Sequence, residues 1–256
     1  MKVIAISNQK GGVAKTTTCL NLAAYFARKY KVLIIDCDKQ ANLSKNIGVE
    51  EPKTTINDLF QKKPFEVINV RKNLDLIPSS IDFAGIDLVI QGELARETIL
   101  KKAIKKLGSA YDFIFLDCPP DMNLVTVNAL TAADYVIIPV QASQFSMDGV
   151  DIMIQFIGGV RESLNEDLSL LGILITHFDE RLRISKSIEQ DFKDNEWEDA
   201  LFKTRIRRNT AIENSQHKDN RMTIFEYQKN SPGAVDYAKL GNEIARKIKK
   251  YSETWD

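Results

Sequence analysis

The segment QKGGVAKTT, residues 9–17, is the most informative stretch of this chain. It follows a short apolar run, VIAIS (3–7), and it precedes a segment from Thr16 to Arg28 with apolar residues at helical spacing. Glycines between a strand and a helix let backbone N–H groups turn inward around a phosphate, and the positive end of the helix points to the same place. The sequence therefore predicts a phosphate-binding loop.

This loop departs from the generic pattern GxxxxGK[ST], because Gln9 and Ala14 stand where the two glycines belong. Lys15 is expected to reach the β- and γ-phosphates of a nucleotide, and the Thr16 hydroxyl is expected to ligate Mg²⁺. A second lysine, Lys10, begins the loop. The predicted nucleotide-binding residues of the loop are Lys10, Gly11, Gly12, Val13, Ala14, Lys15, Thr16 and Thr17.

Short apolar runs alternate with amphipathic stretches along the rest of the chain, which is typical of a parallel sheet covered on both faces. The sequence predicts an α/β fold: a three-layer, doubly wound, mostly parallel sheet with helices on both faces, in one domain over residues 1–256. The stretch 177–233 is the least regular. Predicted strands are 3–7, 32–36, 74–78, 113–117, 135–140 and 170–176, and predicted helices are 16–28, 56–60, 97–107, 147–164 and 234–251.

Acidic residues end two of the predicted strands. Asp36 and Asp38 follow the run VLII, and Asp117 follows FIFL. Because the carboxyl ends of parallel strands gather at one edge of a sheet, these carboxylates are expected to converge beside the phosphate loop. A magnesium ion needs such oxygen ligands, so a Mg²⁺ site is predicted there.

Composition excludes few functions. Lys plus Arg and Asp plus Glu number 35 each, so net charge argues neither for nor against nucleic acid. The three cysteines form no CxxC pair, which favours reduced thiols. No apolar stretch reaches the roughly 20 residues that span a bilayer, and no signal peptide is evident. We therefore expect a cytoplasmic protein without stable membrane insertion.

The loop KGGVAKTT resembles the deviant Walker A motif of the ParA/MinD family. FIFLDCPP (113–120) is similar to the family's Walker B strand, and DCDKQAN (36–42) is similar to its DxDPQxN segment. The block 112–141 and the segment TRIRRNTAIENS (204–215) resemble the short ParA/Soj partitioning proteins. The resemblance implies an ATPase with ATP and Mg²⁺ as cofactors, weak without its partner.

The same resemblance assigns roles to the residues. Lys10, Lys15 and Asp38 are the implied catalytic residues, with Lys10 reaching across a homodimer formed in the ATP state. Thr16, Asp38 and Asp117 are the implied metal ligands, while Asp36 supports the loop. Arg208 and Asn209 lie where the family segment passes the adenine. Two departures are Lys39, in place of a proline, and Ser143, in place of a glutamate.

Non-specific double-stranded DNA and a ParB-like centromere-binding protein are the implied partners, with nucleoid association in the ATP state. Arg181, in LITHFDER (174–181), matches one DNA-binding arginine of the family. The second is missing, because Ala211 stands in its place. Three arginines just upstream are the candidates to replace it, namely Arg205, Arg207 and Arg208. Phosphate contacts of this kind are salt-sensitive.

Two other classes with such a loop stay open. MinD-like division-site regulators end in a basic amphipathic tail that lies on a membrane. The terminus here, IARKIKKYSETWD (244–256), is basic at first and then polar and acidic. Iron–sulfur carriers such as the nitrogenase iron protein share a cluster through cysteines, but no paired cysteines follow Cys118. DNA partitioning is the preferred prediction, with a MinD-like role as the alternative.

Overall fold

The computed structural model describes residues 1–142, 147–193 and 197–253. Over these residues the strands form one seven-stranded sheet in the order β3-β4-β2-β5-β1-β6-β7. Neighbouring strands pair in parallel throughout, except that β3 runs antiparallel to β4 at one edge. The strands are β1 (Lys2–Ile6), β2 (Val32–Asp36), β3 (Ile68–Arg71), β4 (Leu74–Ile77), β5 (Phe113–Asp117), β6 (Tyr135–Gln141) and β7 (Ser169–Thr176).

Helices occupy most of the connections between strands. The longer ones are α1 (Lys15–Ala27), α5 (Ile99–Lys106), α6 (Leu124–Ala132), α7 (Met147–Ser163), α8 (Arg183–Lys193) and α11 (Pro232–Glu253). The shorter ones are α2 (Asn42–Asn46), α3 (Ile56–Phe60), α4 (Ile86–Val89), α9 (Thr210–Ser215) and α10 (Ile224–Tyr227). Short 3-10 turns precede α4 and α5 and follow α8.

Each central strand feeds two hydrophobic cores, because successive side chains of a strand point to opposite faces. In β1, Val3 and Ala5 pack on the face covered by α3, α5, α6, α7 and α8. Ile4 and Ile6 pack on the other face, which is covered mainly by α1 and α11. A sheet that is apolar on both faces must be covered on both, and this gives the predicted three-layer α/β architecture, which is confirmed.

The predicted elements match the observed ones to within a few residues at most ends. The sequence pattern did not predict β3, α2, α4, α6, α8, α9 or α10. Most of these are too short to show a period, and α6 shows no separate polar face because most of its residues are buried. The stretch 177–233, predicted as the least regular, holds α8 and two of the short helices.

Candidate functional site

The phosphate loop leaves the end of β1 and is tied to the two neighbouring strands. The Asn8 side chain donates to the Pro139 oxygen at 2.7 Å and accepts from the Lys10 N–H at 2.9 Å. The Thr176 hydroxyl, at the end of β7, donates to the Val13 oxygen at 3.2 Å. The loop is therefore held by β6 and β7 independently of any ligand.

Two residues of the loop have left-handed backbone conformations, Gly12 with φ 75° and Ala14 with φ 65°. Glycine takes this conformation freely, whereas an alanine loses about 1 kcal/mol in it. Ala14 immediately precedes α1, so the turn that aims the helix N-terminus at the loop is built without the second glycine of the generic motif. Strain of this kind persists where the surrounding structure fixes the chain.

Lys15 is buried inside the loop, with 7% of its surface exposed. Its ammonium donates to the backbone oxygen of Lys10 at 2.8 Å. Burial lowers the pKa of Lys15, while the neighbouring carboxyl groups, Asp117 foremost, oppose that shift. A buried ammonium can make strong, charge-assisted hydrogen bonds to the oxygens of a phosphate group that enters the loop.

Asp117 ends β5 directly beside β1. It is buried, and neither carboxyl oxygen has a hydrogen-bonding partner in the structure. Burial raises the pKa of Asp117 well above its ordinary value, and the nearby Asp36 adds to the effect, while the Thr16 hydroxyl and Lys15 oppose it. Two unsatisfied buried carboxyl oxygens facing a hydroxyl are the donor set of a hard cation. The residues therefore fit a Mg²⁺ ion, which Thr16 and Asp117 would hold, and Asp38 as a third ligand stays a prediction.

Asp36 is buried as well, but its oxygens are occupied. It accepts from the Ser44 N–H at 2.9 Å, the Ser44 hydroxyl at 2.7 Å and the Asp38 N–H at 3.2 Å. Ser44 in turn accepts from the Ser79 N–H at 3.1 Å. Burial raises the pKa of Asp36 to about 6, against the hydrogen bonds from Ser44. Asp36 thus fixes the segment that follows β2, and sequence reasoning did not find Ser44 as its partner.

Asp38 lies in that segment and is partly exposed, so its carboxylate is open to water. Its side chain accepts from the Gln40 N–H at 2.9 Å, and its backbone oxygen accepts from the Ala41 N–H at 2.9 Å. Lys39, where the family has proline, is ion-paired with Asp121 at 3.7 Å. The turn is closed by hydrogen bonds in place of the missing proline. Ser143, the second departure, lies outside the described residues.

A cleft of about 90 Å³ lies on the other side of the loop. It brings Ala14 and Thr17 of the loop together with Arg208 and Asn209. Asn209 also caps α9 by accepting from the Ala211 N–H at 3.0 Å. His177 and Gln216 line the same cleft, and no sequence motif pointed to either of them.

The predicted DNA-binding arginines lie on neighbouring segments, since the Phe178 N–H donates to the Ile206 oxygen. Arg181 is 88% exposed and makes a bidentate pair with Asp179, at 2.9 and 2.7 Å. Arg205 lies over the ring of Phe178, 5.5 Å from its centroid, and Arg208 is exposed. Arg181 and Arg208 therefore both lie close to Asp179, and Arg205 contacts the neighbouring Phe178.

Arg207 differs from the other three. Its guanidinium makes a bidentate pair at 2.9 and 2.7 Å with Asp236, whose side chain is only 5% exposed. The Arg207 backbone N–H bonds the same carboxylate at 3.1 Å. The contacts of Arg207 thus join its segment to α11, and its charge is already balanced.

The cysteines sit in the core. Cys19, Cys37 and Cys118 are free and buried, and burial raises the pKa of Cys118 to about 12. In the described ranges, no three His, Cys, Asp or Glu side chains are grouped as metal ligands. Within the same ranges no helix combines the length and the apolar character needed to cross a membrane.

A phosphate loop after β1 that begins with a second lysine, Lys10, together with the acidic ends of β2 and β5, defines a P-loop nucleoside triphosphatase of the deviant Walker A class. Residues 1–170 match a family model described as an AAA domain. The chain is 36% identical over 252 residues to the sporulation initiation inhibitor protein Soj of Bacillus subtilis, covering 95% of this chain and 98% of the relative. The chain belongs to the Soj/ParA family of partitioning ATPases.

A second relative agrees with this assignment, and a solved structure shares the fold. The chromosome-partitioning ATPase Soj of Treponema pallidum is 34% identical over 253 residues, covering 95% of this chain and 96% of the relative. A solved structure of cobyrinic acid a,c-diamide synthase from Mycobacterium smegmatis superposes with a TM-score of 0.85 at 29% identity, covering 97% of this chain and 96% of that one. That structure holds an ATP analogue and magnesium.

Proposed function

We propose that this protein is an ATP-dependent switch for DNA partitioning. It binds ATP and Mg²⁺ at the phosphate loop, dimerises in that state, and binds DNA without sequence preference. A ParB-like partner stimulates hydrolysis of ATP to ADP and phosphate, which is slow alone, and so releases the DNA. The protein then acts in the cytoplasm and lies on the nucleoid in its ATP state.

The observation that carries the proposal is the placement of the buried Lys15 ammonium near the buried Asp117 carboxyl group at the end of β5. A buried ammonium on one side and two unsatisfied carboxyl oxygens on the other are arranged for a phosphate and its metal. Bound Mg²⁺, which Thr16 and Asp117 would hold, would neutralise the charge of the phosphates. Lys15 then holds the phosphates, and Asp38 orients the attacking water. Asp38 lies on a segment that is fixed by the hydrogen bonds between Asp36 and Ser44.

Lys10 is assigned to the dimer state. Its backbone is held on both sides, by Asn8 and by the Lys15 ammonium, whereas its side chain is partly exposed at the mouth of the loop. A lysine in this place can reach a phosphate of a nucleotide bound to a second copy. Dimer formation in ATP, and not in ADP, follows from that contact.

DNA binding is assigned to the face around Arg181, Arg205 and Arg208. Asp179 compensates only part of this charge, and phosphate oxygens can replace it as the partner of Arg181 because the pair is exposed. Arg207 is left out of the face, since it is paired with the buried Asp236. Binding through phosphates should weaken steeply as salt is raised.

The packing of α11 does not favour the membrane alternative. Ile244 and Ile248, which would form the apolar side of an amphipathic tail, are buried in the core. Lys247 donates to the Leu171 oxygen at 3.1 Å and lies over the Phe202 ring. The apolar stripe of α11 is thus already packed against the protein core. Membrane binding is therefore kept as an alternative result of the experiment described below.

The experiment is binding to a random-sequence DNA duplex with ATP, ADP or no nucleotide, over a salt series, together with light scattering. Wild type is compared with Lys10→Ala, Arg181→Ala and Asp38→Ala. Arg161→Ala is the matched control, because Arg161 is exposed on α7, on the opposite side of the sheet from α11. We expect ATP-dependent, salt-sensitive binding that Lys10→Ala and Arg181→Ala lose and Arg161→Ala keeps.

Each variant separates one part of the proposal. Lys10→Ala should fail to dimerise, Arg181→Ala should dimerise without binding DNA, and Asp38→Ala should dimerise without hydrolysing ATP. A wild-type protein that dimerises in ATP and ignores DNA at low salt contradicts the partitioning role. If the wild-type protein then sediments with anionic liposomes, the MinD-like alternative replaces the partitioning role.

A further inference from the structure

A groove of about 780 Å³ lies between the C-terminal half of α1, the turn between β3 and β4, and α11. Two further depressions share Asn242 with it and continue it to Tyr30 and Phe113. We call the whole feature the α1–α11 groove. It lies away from the phosphate loop, because the stretch of α1 from Lys15 to Ala24, where the groove begins, spans roughly 14 Å of helix axis.

The groove uses a face of α11 that has no other role in the fold. The core face of α11 packs on the sheet. A second face carries Asp236 and Glu243, whose carboxylates accept hydrogen bonds from backbone N–H groups in residues 203–207. Val235 and Lys239, four residues apart, belong to the third face and line the groove. The body of α11 therefore separates the groove from the arginine-bearing segment 203–207.

The groove is strongly basic, although the charges of the whole chain balance at 35 Lys plus Arg and 35 Asp plus Glu. Among the described residues, eight basic side chains and one acidic side chain line it. The acidic residue, Glu226, is already paired with Arg71 at 2.6 Å. Lys72, Lys229 and Lys239 are exposed and form no ion pair with the residues that the structure describes. The groove therefore complements a ligand of negative charge.

The floor between these charges is apolar. Leu74 is buried beneath it, Phe225 is half-buried, and Val235 keeps 39% of its surface exposed. In the continuation of the groove, Tyr30 is 42% exposed. Basic residues alone suffice to contact the phosphates of a nucleic acid, so DNA leaves this floor unused. An amphipathic segment of a protein uses both features, since its apolar side chains cover the floor and its carboxylates meet the lysines.

We propose that the α1–α11 groove docks an acidic, amphipathic segment of a partner protein. The apolar side of that segment lies on Phe225 and Val235, and its carboxylates pair with Lys72 on the hairpin turn and with Lys239 on α11. This site goes beyond the proposed nucleotide switch and does not depend on it. Because the groove lies away from the phosphate loop, the segment binds equally in the presence of ATP and of ADP.

The test measures the fluorescence anisotropy of a labelled helical peptide of leucine, alanine and glutamate, about 15 residues long, with leucines on one side and glutamates on the flanks. A second peptide has lysine in place of each glutamate. A random-sequence DNA duplex and vesicles of anionic lipid are the alternative probes. Binding of ATP to each protein is measured in parallel.

Three variants change the groove at exposed positions. Lys72→Glu and Lys239→Glu each reverse one charge, on the turn and on α11, and Val235→Asn removes an apolar contact from the floor. Lys102→Glu is the matched control, because Lys102 is an exposed lysine of α5, on the opposite side of the sheet.

We expect wild type to bind the glutamate peptide and not the lysine peptide, with an affinity that falls as salt is raised. Lys72→Glu and Lys239→Glu should each weaken peptide binding roughly three- to tenfold, because an attractive pair becomes a repulsive one. Val235→Asn should weaken the peptide roughly threefold and leave DNA binding unchanged. Lys102→Glu should bind the peptide like wild type.

The docking inference is wrong if wild type does not bind the glutamate peptide, or if both charge reversals bind it as tightly as wild type. It is also wrong if the charge reversals weaken binding of the DNA duplex or the vesicles while Val235→Asn keeps the peptide affinity of wild type, since the groove then takes phosphates. A wild-type protein that binds the peptide and not ATP contradicts the proposed function and leaves the docking site standing.

Discussion

The ammonium of Lys15 donates a hydrogen bond of 2.8 Å to the backbone oxygen of Lys10. The two lysines of the phosphate loop are thereby joined across the loop, with the first held by its backbone and the second by its side chain. A phosphate that enters must take over the Lys15 ammonium from this contact, which leaves the Lys10 side chain at the mouth of the loop.

The first prediction concerns Lys15. In Lys15→Gln the affinity for ATP should fall roughly 10- to 100-fold, because a charge-assisted bond to a phosphate is worth about 1.5–3 kcal/mol. A fluorescent ATP analogue measures this. Lys29→Gln, at an exposed lysine just after α1, should bind like wild type, and an equal loss in both variants would contradict the assignment.

The second prediction concerns pH. The pKa of Asp36 is raised to about 6 from an ordinary 3.8, so between these values the folded protein keeps a proton that the unfolded chain has lost. The contribution of Asp36 to the free energy of unfolding is fully present below about pH 4 and is lost as the pH rises through about 6. The free energy of unfolding of the nucleotide-free protein should fall by an amount on the order of 2 kcal/mol over this range.

Urea unfolding at pH 4, 5, 6 and 7, with a chelator present, measures this. Asp36→Asn keeps an acceptor for Ser44 and removes the titration, so its stability should depend less on pH than that of wild type. Asp167→Asn, at an exposed aspartate, is the control. If the free energy of unfolding changed with pH in the same way for wild type and Asp36→Asn, the raised pKa of Asp36 would not contribute to the pH dependence of stability.

The third prediction separates Arg207 from Arg181. Arg207→Ala leaves the buried carboxylate of Asp236 without its bidentate partner and should lower the free energy of unfolding by about 1–3 kcal/mol. Arg181→Ala removes an exposed pair and should change stability by less than about 1 kcal/mol. Urea midpoints measure both effects. If Arg207→Ala were as stable as wild type, the pair with Asp236 would not be structural, and Arg207 would again be a candidate for the DNA-binding face.

The fourth prediction compares glycines in two long helices. A Cβ atom at Gly241 in α11 would lie 2.2 Å from the Tyr25 ring of α1, so Gly241→Ala should destabilise the protein by about 1–3 kcal/mol. A Cβ atom at Gly158 in α7 meets nothing within 4 Å. Gly158→Ala should therefore stabilise the helix by about 0.5–1 kcal/mol. Thermal unfolding followed by circular dichroism measures both effects. If both variants were destabilised, the contact with Tyr25 would not be the cause of the effect at Gly241.

The sequence by itself determined the fold class and the chemistry of the phosphate loop. Both depend on short-range features: the apolar runs that become buried strands, and the spacing of Gly11, Gly12, Lys15 and Thr16 between a strand and a helix. The acidic ends of β2 and β5 could be placed at one edge because parallel strands share a direction. The antiparallel edge strand β3, with four residues, was too short to show a period.

Only the tertiary structure decided what each polar side chain contacts. Asp36 is satisfied by Ser44 and Asp117 is not, although both end a buried strand. Arg207 is paired within the fold, whereas Arg181 stands exposed at the surface. His177 and Gln216 meet beside the loop from segments far apart in the chain. Such contacts follow from burial and from the crossing of distant segments, which local residue patterns do not encode.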